Sequence, residues 1–588
     1  DAVELAEYTI NNQKDYILEE LYKRKPDVLC FSCYIWNIDY VTDIAREYKK
    51  LCPSVPIWVG GPEVSYEVEA FLRENPYIDG VMIGEGEDTF RELCGYYAHK
   101  RKLSDIAGIA FRKNSTGNST SVNNIGGNKA GEIVFTSPRP IKNMSEIPFC
   151  YDTLDDFSNR IIYYESSRGC PFSCSYCLSS VDKTLRFRDT EIVKKELKFF
   201  IDQKVPQIKF VDRTFNCNHA HAMELWRFIK ANDNGVTNFH FEISADLLNQ
   251  EELELISDMR PGLIQLEIGV QSTNEVTIKE IHRTMKLERL KEVVRLIQSG
   301  NNIHEHLDLI AGLPYEDYDS FGRSFDEIYE LKPNQLQLGF LKVLKGSYMF
   351  EHATEYGIVY HDKPPYEVMS TKWLSFDDVI KIKRVEEMLE VYYNSGQFEI
   401  TMKLMECIFD SAFEFFQELG DFYEANGYFG MSHSRIRRCE ILLEFLALYL
   451  HGCDNDAMTS VVLSEIAGDR DNTDFDENAI DRDNTDFDEN AQIYSMIQES
   501  LIFDLYYREN CKSRPRWATD IGSFKHMTHA YCKNGKLSHV EPFHYIFPDK
   551  HTRKLDELPK YHKEPVWALF HYDMRDPLDH QALVEYIE

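Results

Sequence analysis

The 588-residue chain is poor in the features that would place it in a membrane, on a nucleic acid or outside the cell. Its longest apolar stretch, residues 441–450, is interrupted by Glu444 and falls well short of the ~20 residues that a bilayer-spanning helix needs. Positive charge is scarce: 65 Lys and Arg stand against 98 Asp and Glu, giving a net charge of −33 and a pI near 5.0. That balance argues against a protein that coats nucleic acid or an anionic membrane, and it disfavours a nucleic-acid substrate short of a local basic groove. No secretory leader pattern is visible, and the fourteen cysteines do not form the dense, regular framework of a small secreted domain. The length predicts several domains, and 43% hydrophobic residues suffice for packed cores.

Three cysteines stand out. Cys170, Cys174 and Cys177 lie in Arg168-Gly169-Cys170-Pro171-Phe172-Ser173-Cys174-Ser175-Tyr176-Cys177, directly after the apolar run 161–164. Gaps of three and two residues bring three thiolates together on a tight loop, and thiolates hold iron–sulfur clusters. A cubane has four irons, so three cysteines leave one iron open. The bland alternatives are a chance grouping and a zinc site lacking its fourth ligand. The stretch resembles the Cx3CxΦC signature of the radical S-adenosylmethionine (SAM) enzymes, with Tyr176 as the aromatic residue. That resemblance implies a 4Fe–4S cluster whose open iron binds the amino and carboxylate groups of SAM, and whose electron splits SAM to a 5′-deoxyadenosyl radical. It also implies an electron donor such as flavodoxin or ferredoxin, and a reducing, cytoplasmic setting for an oxygen-sensitive cluster.

Residues 1–136 read as an α/β unit. Strands are predicted over 3–10, 27–34, 56–59 and 78–83, with helices over 14–23, 38–50, 64–74 and 88–97. This alternation predicts a parallel, doubly wound sheet that binds ligands at the carboxyl ends of its strands. Three such ends carry suggestive loops: Ser32-Cys33-Tyr34-Ile35-Trp36-Asn37, Gly60-Gly61-Pro62-Glu63 and Gly84-Glu85-Gly86-Glu87. Glycine there lets a ligand approach the backbone. Placed before the cysteine motif, the unit resembles the Rossmann-like cobalamin-binding domain of cobalamin-dependent radical SAM enzymes. Ser32-Cys33-Tyr34 then stands for the SxL segment, and Gly60-Gly61 follows at close to the expected gap. The resemblance implies that the three loops cradle cobalamin. Asp-x-His-x-x-Gly, the source of an axial histidine in many cobalamin proteins, is absent, and the first strand of the domain is expected to lie ahead of Asp1. A flavodoxin-like domain without cobalamin is the alternative. A hairpin of 106–112 with 132–135 flanks the Asn/Ser/Gly-rich stretch 114–131, and residues 137–160 read as a linker.

From residue 161 to 345 six strands recur, at 161–166, 207–212, 239–245, 263–270, 303–310 and 335–344, with helices between most of them. This is the pattern of the partial (β/α)6 barrel of a radical SAM core, which places its chemistry at the carboxyl ends of the strands. Asp212, Glu242, Ser244, Gln271, Arg283, Gly312 and Pro314 fall at or beyond such ends. Gly269-Val270-Gln271-Ser272 and Gly312-Leu313-Pro314 resemble SAM-pocket segments of relatives of the Elongator-catalytic-subunit and coproporphyrinogen-dehydrogenase type. The resemblance implies that Gln271 contacts the ribose, Glu242 the ribose or methionyl part, and Arg283 the SAM carboxylate. For each, the alternative is a polar residue satisfying its own loop. Cys217 reads as packing, with a substrate-facing thiol as the alternative.

Residues 346–588 read as mainly helical, with helices over 376–395, 398–418, 434–450 and 492–508 and a late strand at 566–572. The cluster Cys511-Lys512-Ser513-Arg514-Pro515-Arg516 and the late strand resemble a C-terminal domain of unknown function found in a subgroup of these enzymes, and the region is expected to cap the barrel. The acidic unit at 469–479 recurs at 481–491 and reads as a duplicated solvent loop, since the glycine turn and distal glutamate of a calcium loop are missing. The combined expectation is a cobalamin-dependent radical SAM methyltransferase acting on an unactivated carbon through a 5′-deoxyadenosyl radical and methylcobalamin. Its substrate would be a small molecule, lipid or peptide. The rivals are a radical SAM enzyme with a vestigial or non-methylating cobalamin domain, catalysing cyclisation or rearrangement, and a non-catalytic cobalamin or redox sensor.

Overall fold

The computed structural model describes residues 3–113, 131–451 and 489–587, apart from residues 152, 155, 156, 158, 159, 182, 533–536, 549–551, 553 and 556. The stretch 114–130 and the acidic repeat as far as residue 488 lie outside the described residues.

Short apolar runs alternating with amphipathic helices fold first into a five-stranded sheet. Strands β1 (Leu29–Ser32), β2 (Ile57–Gly60) and β3 (Gly80–Met82) run parallel, and the hairpin β4 (Ile109–Lys113) with β5 (Glu132–Phe135) is added antiparallel to β3. Ile57, Val59 and Val81 are fully buried against helices Ile38–Leu51 and Val68–Glu74. The strand expected over 3–10 does not form. Its alternating pattern has no neighbouring strand to pair with, and Val3, Leu5 and Ile10 are 68%, 84% and 48% exposed.

The second sheet starts with β6 (Ile162–Tyr164). A two-stranded ribbon of β7 (Ser167–Arg168) and β8 (Arg186–Phe187) brackets the cysteine loop. There follow β9 (Gln207–Phe210), β10 (Asn238–Ile243), β11 (Ile264–Gln271), β12 (His304–Ala311) and β13 (Gln335–Phe340), parallel and in spatial order β6-β9-β10-β11-β12-β13. Period-two alternation fixes what each face does. In β11, Ile264, Leu266, Ile268 and Val270 are fully buried under the outer helices, whereas Gln265, Glu267, Gly269 and Gln271 turn to the lumen. The lumen is charged: Lys209 and His240 each lie 2.9 Å from Glu267. Burial alone would raise Glu267, but these two partners pull it down to about 2.

The C-terminal region opens with the hairpin β14 (Val359–Tyr360) and β15 (Val368–Ser370), continues through helices, and ends in an antiparallel sheet of β16 (Ser538–Tyr545), β17 (Tyr561–His571) and β18 (Leu583–Ile587). Only a part of β17 was expected: β16 carries Pro542 in its interior, and β18 is a run of only five residues. The helix expected over 398–418 is two helices, Glu399–Ile408 and Ala412–Ala425. Asp326 of the barrel helix Tyr318–Tyr329 makes the break by accepting from Ser411 Oγ (2.7 Å) and Phe413 N (2.8 Å).

The expectation of a helical cap over the barrel also needs correction. The helices pack sideways on Tyr318–Tyr329 and on β13, through Phe413 against Phe325 and through Asn394, which pairs with the Leu336 backbone. Among the described residues, the rim is reached by the segment that precedes these helices, where Met349 N donates to Ser175 O, Val368 covers Gly312 and Trp373 packs against Tyr315. Barrel and helices share one apolar core. Removing residues 366–588 is therefore expected to expose Phe321, Phe325 and Tyr329, each worth roughly 2 kcal/mol or more of burial. The truncated chain should be insoluble or lack a cooperative melting transition. A soluble truncated chain that melts sharply would show that the barrel stands alone.

Candidate functional site

The cysteine loop is held from beneath by one carboxylate. Asp212, fully buried just past the end of β9, accepts from Ser166 N (3.0 Å), Ser166 Oγ (3.0 Å), Ser167 Oγ (2.7 Å) and Ser167 N. Burial pushes its pKa up to about 7 against the pull of these donors. Its oxygens are taken up by the loop, so in this structure Asp212, expected at the SAM pocket, holds the approach to Cys170. Gly169 completes the turn with φ 88°; a Cβ there would meet the Thr184 carbonyl oxygen at 2.6 Å. Cys170 and Cys174 are buried, Cys177 is half-buried, and the Cys177 amide donates to the Cys174 carbonyl (3.1 Å). Thr214 Oγ1 lies 3.7 Å from Cys170 Sγ. The loop is pinned to its neighbours by Ser175 N to Ile281 O and Met349 N to Ser175 O, both 2.9 Å. Among the described residues no three His, Cys, Asp or Glu side chains converge on a single-ion site. A cubane asks for something else, each thiolate meeting a different iron.

Beside this loop, Arg283 joins the cysteine motif to β11. Its guanidinium lies 3.8 Å from Cys174 Sγ, donates to Tyr176 Oη (3.3 Å) and donates to the Gly269 carbonyl. Gln271 ends β11 at a bulge with φ 76°, an unusual backbone for a residue with a side chain, and its buried Oε1 has no partner. Strain and an orphaned acceptor at one residue mark a place shaped for a ligand. Glu242 faces the lumen in register with Glu267, and burial raises its pKa.

Three other residues are engaged elsewhere. Ser244 exchanges backbone hydrogen bonds with Asn216 and donates its hydroxyl to Asp246 (2.7 Å). Gly312 is overlain by Val368, whose Cγ1 would sit 2.6 Å from an added Cβ. The Pro314 carbonyl accepts from Thr277 Oγ1 (2.9 Å). These contacts shape the rim.

In the first sheet, Asn37 ties its loop closed, donating to the Ser32 carbonyl (2.9 Å) and accepting from Tyr34 N (2.7 Å). Tyr34 and Trp36, either side of Ile35, stack at 4.5 Å while remaining 37% and 62% exposed. Gly60 and Gly61 lie against Met82 and Cys33; at Gly61, with φ 111°, a Cβ would meet the Cys33 carbonyl oxygen at 2.5 Å. Pro62 begins a short turn, and Ser65 Oγ bridges the loops, donating to Gly61 O (2.8 Å) and accepting from Gly84 N (3.1 Å). Cβ atoms at Gly84 or Gly86 would meet nothing within 4 Å, so this cradle is open. A cavity of about 340 Å³ between β3, β4 and residues 135–141 adjoins Gly84 and Glu85. A larger depression lined by Lys194, His219 and Arg227 lies on the outer helices, away from the cysteine loop.

The carboxylates of these loops are each engaged by a partner across the domain boundary. Glu63 accepts from Tyr366 Oη and lies 3.9 Å from Lys345. Glu85 pairs with Arg186 (2.5 Å) and Glu87 with Arg168 (2.6 Å). All three dock the first sheet onto the carboxyl rim of the barrel, so the strand-end loops of the two sheets face each other.

Sequence reasoning missed Asp308, which faces the lumen level with Gly269 and has its pKa raised by burial and by Glu267 and Glu242. The alternation His304-x-His306-x-Asp308 was the available signal. It also missed Arg168 and Arg186, for which no local pattern exists. Cys217 is half-buried near Cys170, and burial pushes its thiol up to about 11.

Comparison with known proteins agrees with this layout. Residues 2–94 match the B12 binding domain family, residues 164–328 the Radical SAM superfamily, and residues 354–581 a family described as a protein of unknown function, DUF4080. The chain thus carries a B12-binding domain followed by a radical SAM domain. The first domain implies cobalamin, and the second implies a 4Fe–4S cluster and SAM. The cobalamin-dependent radical SAM methyltransferase TokK of Streptomyces tokunonensis is 27% identical over 329 residues, 52% of this chain and 45% of that protein. The anaerobic magnesium-protoporphyrin IX monomethyl ester cyclase of Rubrivivax gelatinosus is 22% identical over 350 residues, 57% of this chain and 60% of that one. The chain therefore spans about half the length of these relatives. The structure of OxsB, a cobalamin-dependent SAM radical enzyme, shares the fold, with a TM-score of 0.51 and 16% identity over 88% of this chain and 77% of that one. No helix among the described residues is long and apolar enough to cross a membrane.

Proposed function

We propose that this protein is a cobalamin-dependent radical SAM methyltransferase acting on an unactivated carbon of a small molecule. The observation that carries the reading is the docking of the open glycine cradle at Gly84 and Gly86 onto the residue that leads into the cysteine loop. When bound, SAM on the cluster supplies a hydrogen-abstracting radical, and cobalamin supplies a transferable methyl group.

The chain supplies position. Cys170, Cys174 and Cys177 hold the cluster. Arg283, already against Cys174 and Tyr176, meets the SAM carboxylate. Gln271 directs its unpaired Oε1, and Glu242 its lumen carboxylate, at SAM hydroxyl or amino groups. The stacked Tyr34–Trp36 pair and Gly60, Gly61, Gly84 and Gly86 accept the flat corrin, and the cavity beside Gly84 takes part of its tail. The β14–β15 segment at the rim restricts solvent access, which protects a radical from stray hydrogen donors. A flavodoxin or ferredoxin is the electron donor, and the reducing cytoplasm is the setting.

The likeness to a cyclase favours ring closure as the second reading. One experiment separates them. Protein made anaerobically with cobalamin is given a reductant and SAM labelled in its methyl group. Methyl transfer requires both S-adenosylhomocysteine, with label on cobalamin, and 5′-deoxyadenosine. Formation of 5′-deoxyadenosine alone points to ring closure, and formation of neither product overturns both readings.

A further inference from the structure

Arg168 stands where the two halves of the molecule meet, two residues before Cys170. Its main chain is fixed: Ser167 hangs from Asp212, Ser167–Arg168 pairs with Arg186–Phe187, and Gly169 presses on the Thr184 backbone. Its side chain reaches the other way. Nε donates to both oxygens of Glu165 (3.0 and 2.9 Å), Nη2 donates to Glu87 Oε1 (2.6 Å), and Nη1 lies 3.4 Å from Glu85 Oε1. Arg186, across the ribbon, takes Glu85 at 2.5 Å and donates to the Lys142 carbonyl at 3.0 Å. Glu85 and Glu87 flank Gly86, and with Gly84 they form the loop that faces open space.

Exposed ion pairs contribute little, but these side chains are only 14–32% exposed and share carboxylates in a network. Burial alone would raise Glu85, yet Arg186 and Arg168 hold it below its usual range, so the carboxylate stays charged and bound. The domains are glued elsewhere as well, by Glu63 with Tyr366 and by Tyr66 over Gly346. Losing Arg168 would leave them attached while freeing the two loop ends to drift.

We propose that Arg168 is a positioning residue that sets the spacing between the two cofactor sites, acting as a strut from the cysteine loop to the Gly84–Glu87 loop. This rests on the cobalamin reading above. A forked guanidinium is suited to the task because it fixes direction as well as distance.

The test uses the full chain with cluster and cobalamin loaded. In pulsed electron paramagnetic resonance the reduced cluster and cob(II)alamin couple magnetically according to their separation. Arg168→Gln should keep its iron and cobalamin, yet lose the single sharp coupling of the wild type. Its ratio of S-adenosylhomocysteine to 5′-deoxyadenosine should shift by about 10- to 100-fold, the usual effect of a misplacement near 1 Å. The pair Glu85→Gln and Glu87→Gln, which leaves the cysteine loop untouched, should do the same. Arg168→Lys, which keeps the charge facing Glu165, Glu85 and Glu87 but loses the fork, should recover part of the coupling. Unchanged coupling in Arg168→Gln and in the paired glutamine variant would overturn the proposal. If the wild type binds no cobalamin, the functional reading fails by itself. Amide hydrogen exchange then decides about the strut: residues 84–97 should exchange faster in Arg168→Gln, and equal exchange would overturn it.

Discussion

Replacing Cys170, Cys174 and Cys177 together with alanine is expected to remove all cluster iron and all 5′-deoxyadenosine formation, leaving the chain folded. The fold should persist because the loop is anchored by groups other than the thiols: Asp212 beneath Ser166 and Ser167, Ile281 on the Ser175 amide, and Arg283 on the Gly269 carbonyl. Iron content by colorimetric assay and product by chromatography check the loss, and a melting curve checks the fold. Among the single variants, Cys177→Ala should be the mildest structurally, since Cys177 is half-buried whereas the other two thiols are covered. Full iron in the triple variant would mean that other cysteines hold the cluster.

Asp212→Ala should be nearly as damaging by a different route. The carboxylate is the acceptor for two buried amides and two hydroxyls, and alanine leaves all four donors without it. Each buried, unsatisfied donor costs on the order of 1–3 kcal/mol, and Ser166 Oγ keeps His221 Nε2 at 3.0 Å, so three stranded donors put the local loss at roughly 3–9 kcal/mol. Because a chain of several domains need not unfold in one step, the effect should be read in the first melting transition and in iron loading. Asp212→Asn, which keeps one acceptor oxygen, should fall between. Normal iron loading in the alanine variant would show that the loop holds its own shape.

The strands of both sheets and the cysteine loop were legible because each rests on a local pattern. The apolar runs 207–212 and 263–270 sit close to β9 and β11, and the gaps among the three cysteines need no tertiary information. Positions at strand ends were legible as positions but not as roles. Asp212, Glu63, Glu85 and Glu87 all lie beside a site, yet each carboxylate is consumed by a partner far away in sequence. Arg168 is 81 residues from Glu87, and Tyr366 is 303 residues from Glu63. No window along the chain contains both members of such a pair. The break at 409–411 was hidden for the same reason, since Asp326 caps the second helix from the barrel. The segment 3–10 erred in the opposite direction: alternation predicts a strand, but a strand needs a neighbour.

The account turns on two cofactors meeting in one protein. The most direct measurement is electron paramagnetic resonance on a single anaerobic preparation reconstituted with iron, sulfide and cobalamin, before and after adding SAM. A reduced-cluster signal that shifts with SAM, together with a cob(II)alamin signal from the same molecules, is the expected result. A SAM-responsive cluster with no protein-bound cobalamin would contradict it.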